Sequence, residues 1–230
     1  MYLNIDRVEF LTTYHCTGKC IHCSVGEKLN KTGMTKVDPK RAREVLEVLS
    51  QRFDLKSVLV FGGEPLLYPE TTAAIIKAAA DFGVEKRQLI TNGYFSKNLA
   101  KINDVANKIV DAGVTEILLS VDAFHEETIP SDTVANFADA VLDTGFQEIY
   151  LHPCWLESKD ARNDYNFETT QILARFDDLG LEITEGNVVA PEGNAKVNLS
   201  EYFSKGCYDV EQCCGDAPYR HRPDSDAGKQ

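Results

Sequence analysis

The stretch Ser57-Val58-Leu59-Val60-Phe61-Gly62-Gly63-Glu64-Pro65 runs from a β-branched apolar segment straight into a glycine pair. Such a run, bounded by turn residues, reads as a strand. A helix pattern follows at once, starting after Tyr68-Pro69 and stopping at Gly83. Working outward, further strand candidates begin near Val8, Arg87, Glu116, Glu148 and Leu181. From the second strand onward they recur roughly every 30 residues, the size of one strand-helix unit.

The intervening segments carry helical periodicity. The first helix has Asp38 as N-cap and Pro39 at its first position, with Ala42, Val45, Leu46, Leu49 and Phe53 as its apolar face. The third carries Ile102, Val105, Ala106, Ile109 and Val110 up to Gly113. The fourth carries Val134, Phe137, Ala138, Val141 and Leu142 up to Gly145, and the fifth Thr169, Ile172, Leu173, Phe176 and Leu179 up to Gly180. Glycine suits the left-handed residue that ends a helix. Strand-helix alternation predicts an α/β fold with a parallel sheet and helices outside it. Six units are too few for a complete eight-fold barrel, which leaves a partial barrel or a doubly wound sheet. In either, ligands collect at the carboxyl ends of the strands.

The chain has 230 residues, 43% of them hydrophobic, enough for one sizeable core. The N-terminus reads as no secretion signal, and no apolar run is long enough to span a bilayer, so a cytoplasmic protein is expected. Lys plus Arg number 24 against 36 Asp plus Glu, a net charge of −12, which argues against a nucleic-acid or membrane-surface partner. The seven cysteines are odd in number, which argues against a disulfide framework and for metal ligands, reactive groups or buried fillers.

Cys16, Cys20 and Cys23 follow the first strand with the spacing C-x3-C-x2-C. That spacing lets a short loop aim three thiolates at one centre, suited to iron–sulfur clusters or zinc. The next strands end in Gly62-Gly63-Glu64-Pro65, Thr91-Asn92-Gly93 and Ser120-Val121-Asp122, all at the same end of the sheet. Each has a plainer reading alone: a glycine turn, a turn pair at Asn92-Gly93, a helix cap at Asp122.

Together these motifs resemble the radical S-adenosylmethionine (SAM) superfamily, over about residues 6–190. The resemblance implies a partial (β/α)6 barrel with parallel strands over residues 1–190 and a short irregular C-terminal extension over 191–230, whose polar tail reads from its composition as disordered. It implies a four-iron, four-sulfur (4Fe-4S) cluster held by Cys16, Cys20 and Cys23, with one iron open to the amino and carboxylate groups of SAM. His22 would lie near the adenine. Gly62, Gly63 and Glu64 would present backbone to the SAM amino group. Ser120, Asp122 and Asn92 would reach its ribose or methionine part, and Val189, on the sixth strand with Val188, would pack on the adenine. The implied chemistry is reductive cleavage of SAM to a 5′-deoxyadenosyl radical that abstracts a substrate hydrogen atom.

Tyr150, His152 and Cys154 fall at steps of two, on one face of the fifth strand. A thiol facing the barrel could return a hydrogen atom to a substrate radical, which makes Cys154 a catalytic candidate; its alternative is a buried structural cysteine beside Pro153 and Trp155. His125 and His152 are candidate proton-transfer groups, or packed and solvated histidines. Cys207, Cys213 and Cys214 resemble the start of a SPASM-like extension without the further cysteines of that pattern; they are a candidate second metal site, with no complete second cluster expected and structural or redox-active thiols as the alternative, and they suggest a peptide or protein substrate. Residues 19–43 hold seven Lys and Arg against Glu27 and Asp38, a basic surface beside the cluster loop that could dock an acidic electron donor such as flavodoxin or ferredoxin. Two other readings stay open: a zinc-dependent strand-helix barrel enzyme with His15 or His22 as a fourth ligand, and a non-catalytic iron–sulfur sensor.

Overall fold

The computed structural model describes residues 4–31 and 35–203. Cys207, Cys213, Cys214 and the polar end lie outside the described residues. In chain order the strands are β1 (Arg7–Leu11), β2 (Ser57–Phe61), β3 (Lys86–Thr91), β4 (Glu116–Leu119), β5 (Ile149–Leu151), β6 (Cys154–Trp155), β7 (Glu182–Ile183) and β8 (Asn187–Val188). Six of them form one sheet in the order β1-β2-β3-β4-β5-β7, every neighbouring pair parallel. The sheet does not close, and β1 and β7 are its two edges: an open, partial (β/α)6 barrel.

The helices are α1 (Pro39–Ser50), α2 (Pro69–Asp81), α3 (Leu99–Asp111), α4 (Ala123–Glu126), α5 (Ser131–Leu142), α6 (Asp164–Leu173) and α7 (Ala195–Asn198). Their ends follow the sequence. Asp38 accepts from Lys40 N at 3.0 Å with Pro39 behind it, and Asn98 caps α3 by accepting from Lys101 N at 3.2 Å. The chain leaves α2, α3 and α5 through Gly83, Gly113 and Gly145, and the 3-10 turn after α6 through Gly180. One strand face is covered: Val58, Val60, Leu89, Ile117, Leu119, Ile149 and Leu151 pack with Leu46, Ile75, Ile76, Ile102, Ile109 and Phe137 of the helices in one core. Burying each large apolar side chain stabilises the fold by about 1.5–3 kcal/mol. The alternate residues Leu11, Phe61, Ile90 and Tyr150 stay half-buried on the concave face. Among the described residues no helix is long and apolar enough to cross a membrane.

Three details differ from the sequence reading. Val45, expected on the apolar face of α1, is 45% exposed, because Ala42 and Leu46 already fill the contact with the core. The fifth strand stops at Leu151. Pro153 offers no N–H to a ladder, and the chain restarts as β6, which pairs with β8 rather than with the sheet, so Cys154 does not share the β5 face with Tyr150. The sixth strand of the sheet is β7, Glu182–Ile183, and the segment containing Val188 belongs to the small second sheet.

Candidate functional site

The loop after β1 carries Cys16, Cys20 and Cys23 across the top of the sheet. Thr12 N donates to Phe61 O (2.7 Å) and Val37 N to Thr12 O (2.8 Å), fixing both ends of the excursion. Asn30, at φ +59°, closes it: its Oδ1 accepts from Cys16 N (3.0 Å) and its Nδ2 donates to Cys16 O (3.1 Å). Cys23 N donates to Cys20 O (3.2 Å), making the C-x2-C turn. Cys20 is buried, and Cys16 and Cys23 are half-buried.

The glycine pair after β2 is required by this loop. Gly62 (φ +97°) lies against Leu11, and a Cβ on Gly63 (φ +37°) would stand 2.0 Å from the His15 carbonyl oxygen. That approach lets Glu64 N donate to His15 O at 2.6 Å. The Glu64 carboxylate turns inward and is fully buried. Its Oε1 accepts from Leu66 N (2.8 Å) and Thr91 Oγ1 (2.7 Å), and its Oε2 from Asn92 N (2.9 Å). Burial pushes its pKa up to about 7, against the pull of those three donors. Glu64 thus ties the end of β2 to the end of β3 and aims Asn92, whose Nδ2 reaches Cys16 Sγ (3.5 Å) and Thr17 Oγ1 (3.3 Å).

A second group forms where β4 ends. Ser120 N donates to Thr91 O (2.9 Å), which keeps the half-buried Ser120 level with the Asn92 turn. Asp122 caps α4 by accepting from His125 N (3.0 Å), and both of its oxygens lie 2.9 Å from His125 Nδ1. Its Oδ2 also accepts from Cys154 N at 2.9 Å. Burial alone would raise this carboxyl; the His125 ring holds it below the ordinary carboxylate value instead. His22 lies between the rings of Phe124 and His125, each centroid at 4.8 Å. Its pKa falls to about 4, through burial and the neighbouring His125. Val189 is buried with Phe124, Leu156, Ala195 and Leu199. Cys154 packs at the edge of that cluster; burial first, then Asp122, raises its thiol, which also lies in the field of Cys20.

The arrangement therefore gathers Cys16, Glu64 and Asn92 on one side and Cys20, His22, Asp122, His125 and Cys154 on the other. Sequence reasoning missed Asn30 and Thr91, and did not pair His125 with Asp122. The Asp-x-x-His spacing at a helix start was the available signal for that pair; no local pattern announces the other two. Exchanging Asp122 for asparagine replaces an acceptor oxygen by an amide donor facing His125 or Cys154 N, and should cost about 3 kcal/mol. The depressed carboxyl contributes stability that is fully present above its ordinary pKa of 3.8 and is lost as the pH falls below it. Urea titrations should show the loss in D122N at pH 7, with a shallower acid limb than wild type. Equal stabilities at pH 7 would contradict the role given to the pair.

Without a metal, the thiols are poorly placed to ionise. Burial pushes Cys16 up to about 12, with Glu64 and Cys23 adding to it, and Cys20 up to about 12, with Cys16, Asp122 and Cys23 adding. The three thiols share one another's fields, and a bound cation would reverse that penalty. Among the described residues no three His, Cys, Asp or Glu side chains close around a single metal ion. A cluster of several irons spaces its cysteine sulfurs more widely than one ion does. Cys16 Sγ already accepts from Gly18 N (3.3 Å), a bond of the kind that stabilises cluster thiolates. His22 Nδ1 is buried with no partner, a polar atom left for a ligand beside the loop. The donor set thus fits a thiolate-held cluster with a polar cofactor next to it.

Comparison with known proteins agrees. The family model of the Radical SAM superfamily matches residues 10–146. A GTP 3′,8-cyclase of Listeria monocytogenes serotype 4b is 26% identical over 223 residues, 95% of this chain and 64% of that protein. Another, of Saccharophagus degradans, is 25% identical over 182 residues, 75% of this chain and 50% of that protein. The chain thus spans less than two thirds of the length of these relatives. Among solved structures, HydG, a maturase of the FeFe-hydrogenase, superposes with a TM-score of 0.56 at 15% identity, covering 80% of this chain and 43% of that one. Native anSMEcpe with bound AdoMet does so with a TM-score of 0.54 at 12% identity, covering 80% and 51%. These two likenesses bear on the fold. The matched family model spans the cysteine loop, the glycine turn and the ends of β3 and β4, and the chain belongs to the radical SAM superfamily, whose members use a 4Fe-4S cluster and SAM.

Proposed function

We propose that this chain is a radical SAM enzyme in which Cys16, Cys20 and Cys23 hold the cluster and the ends of β2, β3 and β4 hold SAM. The observation that carries the reading is the convergence of the cysteine loop with Gly63, Asn92 and Asp122 at one end of the sheet. Bound together, cluster and SAM would supply one-electron cleavage of the cofactor and hydrogen abstraction from an unreactive C–H bond. The protein's share is to orient and to exclude water. The backbone of the Gly62-Gly63 turn would meet the SAM amino group, and His22 would offer its orphaned nitrogen and its ring to the adenine. Ser120, half-buried at the end of β4, and Asn92, buried at the end of β3, would serve the polar part of the cofactor. Asp122 and Glu64, both consumed by internal bonds, act by positioning.

An external one-electron donor is needed. Docking on the basic segment is moderated by the pairing of three of its cations: Lys31 with Glu27, Arg41 with Glu44 and Arg43 with Asp81. For the substrate, the activity for which these relatives are named favours GTP over a peptide. The peptide reading rests on Cys207, Cys213 and Cys214, outside the described residues. The concave face would receive the substrate, and it presents His152 with both ring nitrogens engaged, Nδ1 with Thr184 Oγ1 (2.8 Å) and Nε2 with Asn187 Nδ2 (2.9 Å). Burial lowers the His152 pKa, which favours the neutral ring. The test is 5′-deoxyadenosine formation by the reconstituted chain with SAM and dithionite, with and without GTP. Stimulation by GTP together with a new nucleotide product supports the reading, and no response to GTP removes that substrate.

Cys154 carries a separate test. Beside Cys20 and Asp122, its thiol could give a hydrogen atom to a substrate carbon radical and be restored by an electron and a proton from the donor system. Cys154→Ala should then change the product or its incorporation of solvent deuterium. An unchanged product with unchanged deuterium content would sink that role.

A further inference from the structure

The back of the cysteine loop is held by a segment far along the chain. Asn194 N donates to Cys23 O (2.9 Å), and Asn194 Nδ2 donates to Cys20 O (3.1 Å). One turn later, Asn198 Nδ2 donates to Ile21 O (3.2 Å). Three of the four carbonyls in the C-x2-C turn are therefore held by two asparagines, and two of the three belong to expected ligand residues. The fit is close. A Cβ on Gly193 (φ +51°) would stand 2.3 Å from Cys23 O and 2.4 Å from Ser24 O, and one on Gly26 (φ +58°) would stand 2.8 Å from Gly193 Cα. The two glycines interlock, and no larger residue fits at either position without moving the loop. The next positions anchor the segment. Ala195 and Leu199, spaced like the two asparagines on α7, are buried with Phe124, Leu156 and Val189, and Ile21 of the loop packs on the same cluster.

We infer that residues 193–199 are a clamp on the cluster loop, with Asn194 and Asn198 as positioning residues that set the Cys20–Cys23 turn and thereby the direction of two ligand thiols. The physical logic is that of outer-shell partners at metal sites: a ligand's affinity depends on the bonds that hold its own backbone in place. The amides take no part in ligation. They remove the freedom of the peptide units between Cys20 and Cys23, which would otherwise turn their carbonyls toward water. The inference rests on the reading of Cys16, Cys20 and Cys23 as cluster ligands.

The test uses the full chain, reconstituted anaerobically with iron and sulfide. It compares wild type, the double variant N194A/N198A, the near-isosteric N194D, which keeps the backbone bond and loses the side-chain donor, and V197A. Val197 lies between the asparagines but is 75% exposed, so V197A should behave as wild type. The readouts are bleaching of the cluster absorption by a chelator and the electron paramagnetic resonance spectrum of the dithionite-reduced protein; far-ultraviolet circular dichroism of the apo chain controls for folding. The expected result is bleaching about ten-fold faster in N194A/N198A, a smaller acceleration in N194D and an altered spectrum in both. Bleaching within two-fold of wild type with an identical spectrum would overturn the clamp. Should the double variant not fold, N198A alone, which removes one bond at an exposed residue, is read in the same way. A wild type that takes up no iron overturns the ligand reading as well; a wild type with a stable cluster, matched by its variants, overturns the clamp alone.

Discussion

Replacing any one of Cys16, Cys20 or Cys23 by alanine should leave a folded chain that neither retains a cluster nor cleaves SAM. A 4Fe-4S cluster with one iron reserved for a cofactor has three protein ligands, and none is spare. Loss of one thiolate removes a cluster bond outright, so 5′-deoxyadenosine formation should fall at least about a hundred-fold, to background. The fold should survive because the loop lies above the sheet and the core beneath it is built without these residues, apart from the contact of Cys20. Removing one buried sulfur atom costs about 1 kcal/mol. Iron analysis, the visible spectrum and a thermal melt on each variant check the three parts separately. A variant that keeps full cluster content would exclude that cysteine as a ligand.

The second large effect is expected at Glu64. Alanine there leaves Leu66 N, Asn92 N and the Thr91 hydroxyl without their buried acceptor, at a cost of about 3–5 kcal/mol. For a chain of this length, that should lower Tm by about 10 °C. Because Asn92 loses its anchor, the bond from its Nδ2 to Cys16 Sγ should loosen, and iron content should fall with stability. Glutamine separates charge from geometry. It has one acceptor oxygen where the carboxylate uses two, so one backbone N–H meets an amide donor, at about 1–3 kcal/mol. The pH dependence follows from the raised pKa. Folded Glu64 holds its proton up to about 7, against an ordinary 4.5, so this group's contribution to stability falls as pH rises from about 4.5 through 7 and is flat above. Tm of the apo chain measured from pH 5 to 8 should decline through this group in wild type and lose that component in E64Q. An E64A protein with wild-type Tm would show that the carboxylate does not tie the strands together.

Much of the barrel was legible because its signals are local. The apolar run ending at Phe61, the Asp38-Pro39 cap and the glycines after each helix report φ preference and periodicity within a few residues. The site was legible where it rested on spacing, as with Cys16, Cys20 and Cys23, or on glycine, as at Gly63. There, however, the reason that the structure gives is the approach of the His15 carbonyl. The plainer readings of Asp122 as a helix cap and of Gly62-Gly63 as a turn hold in the structure. What stayed hidden are bonds from side chains to distant backbone. Asn30 to Cys16, and Asn194 and Asn198 to the C-x2-C turn, depend on how the chain returns in space, and asparagine is common in any loop. The break at Pro153 was visible as a residue, but that β6 would then pair with β8 depends on a partner more than 30 residues away.

We propose that three cysteines, held by the ends of the neighbouring strands, carry a cluster that cleaves SAM. The most direct measurement is iron, acid-labile sulfide and 5′-deoxyadenosine on the full chain after anaerobic reconstitution, with SAM and dithionite and no other substrate. The expected result is a brown protein with about four irons and four sulfides per chain that releases 5′-deoxyadenosine, at least slowly. A colourless chain holding zinc, or a cluster-bearing chain that never cleaves SAM, would contradict it.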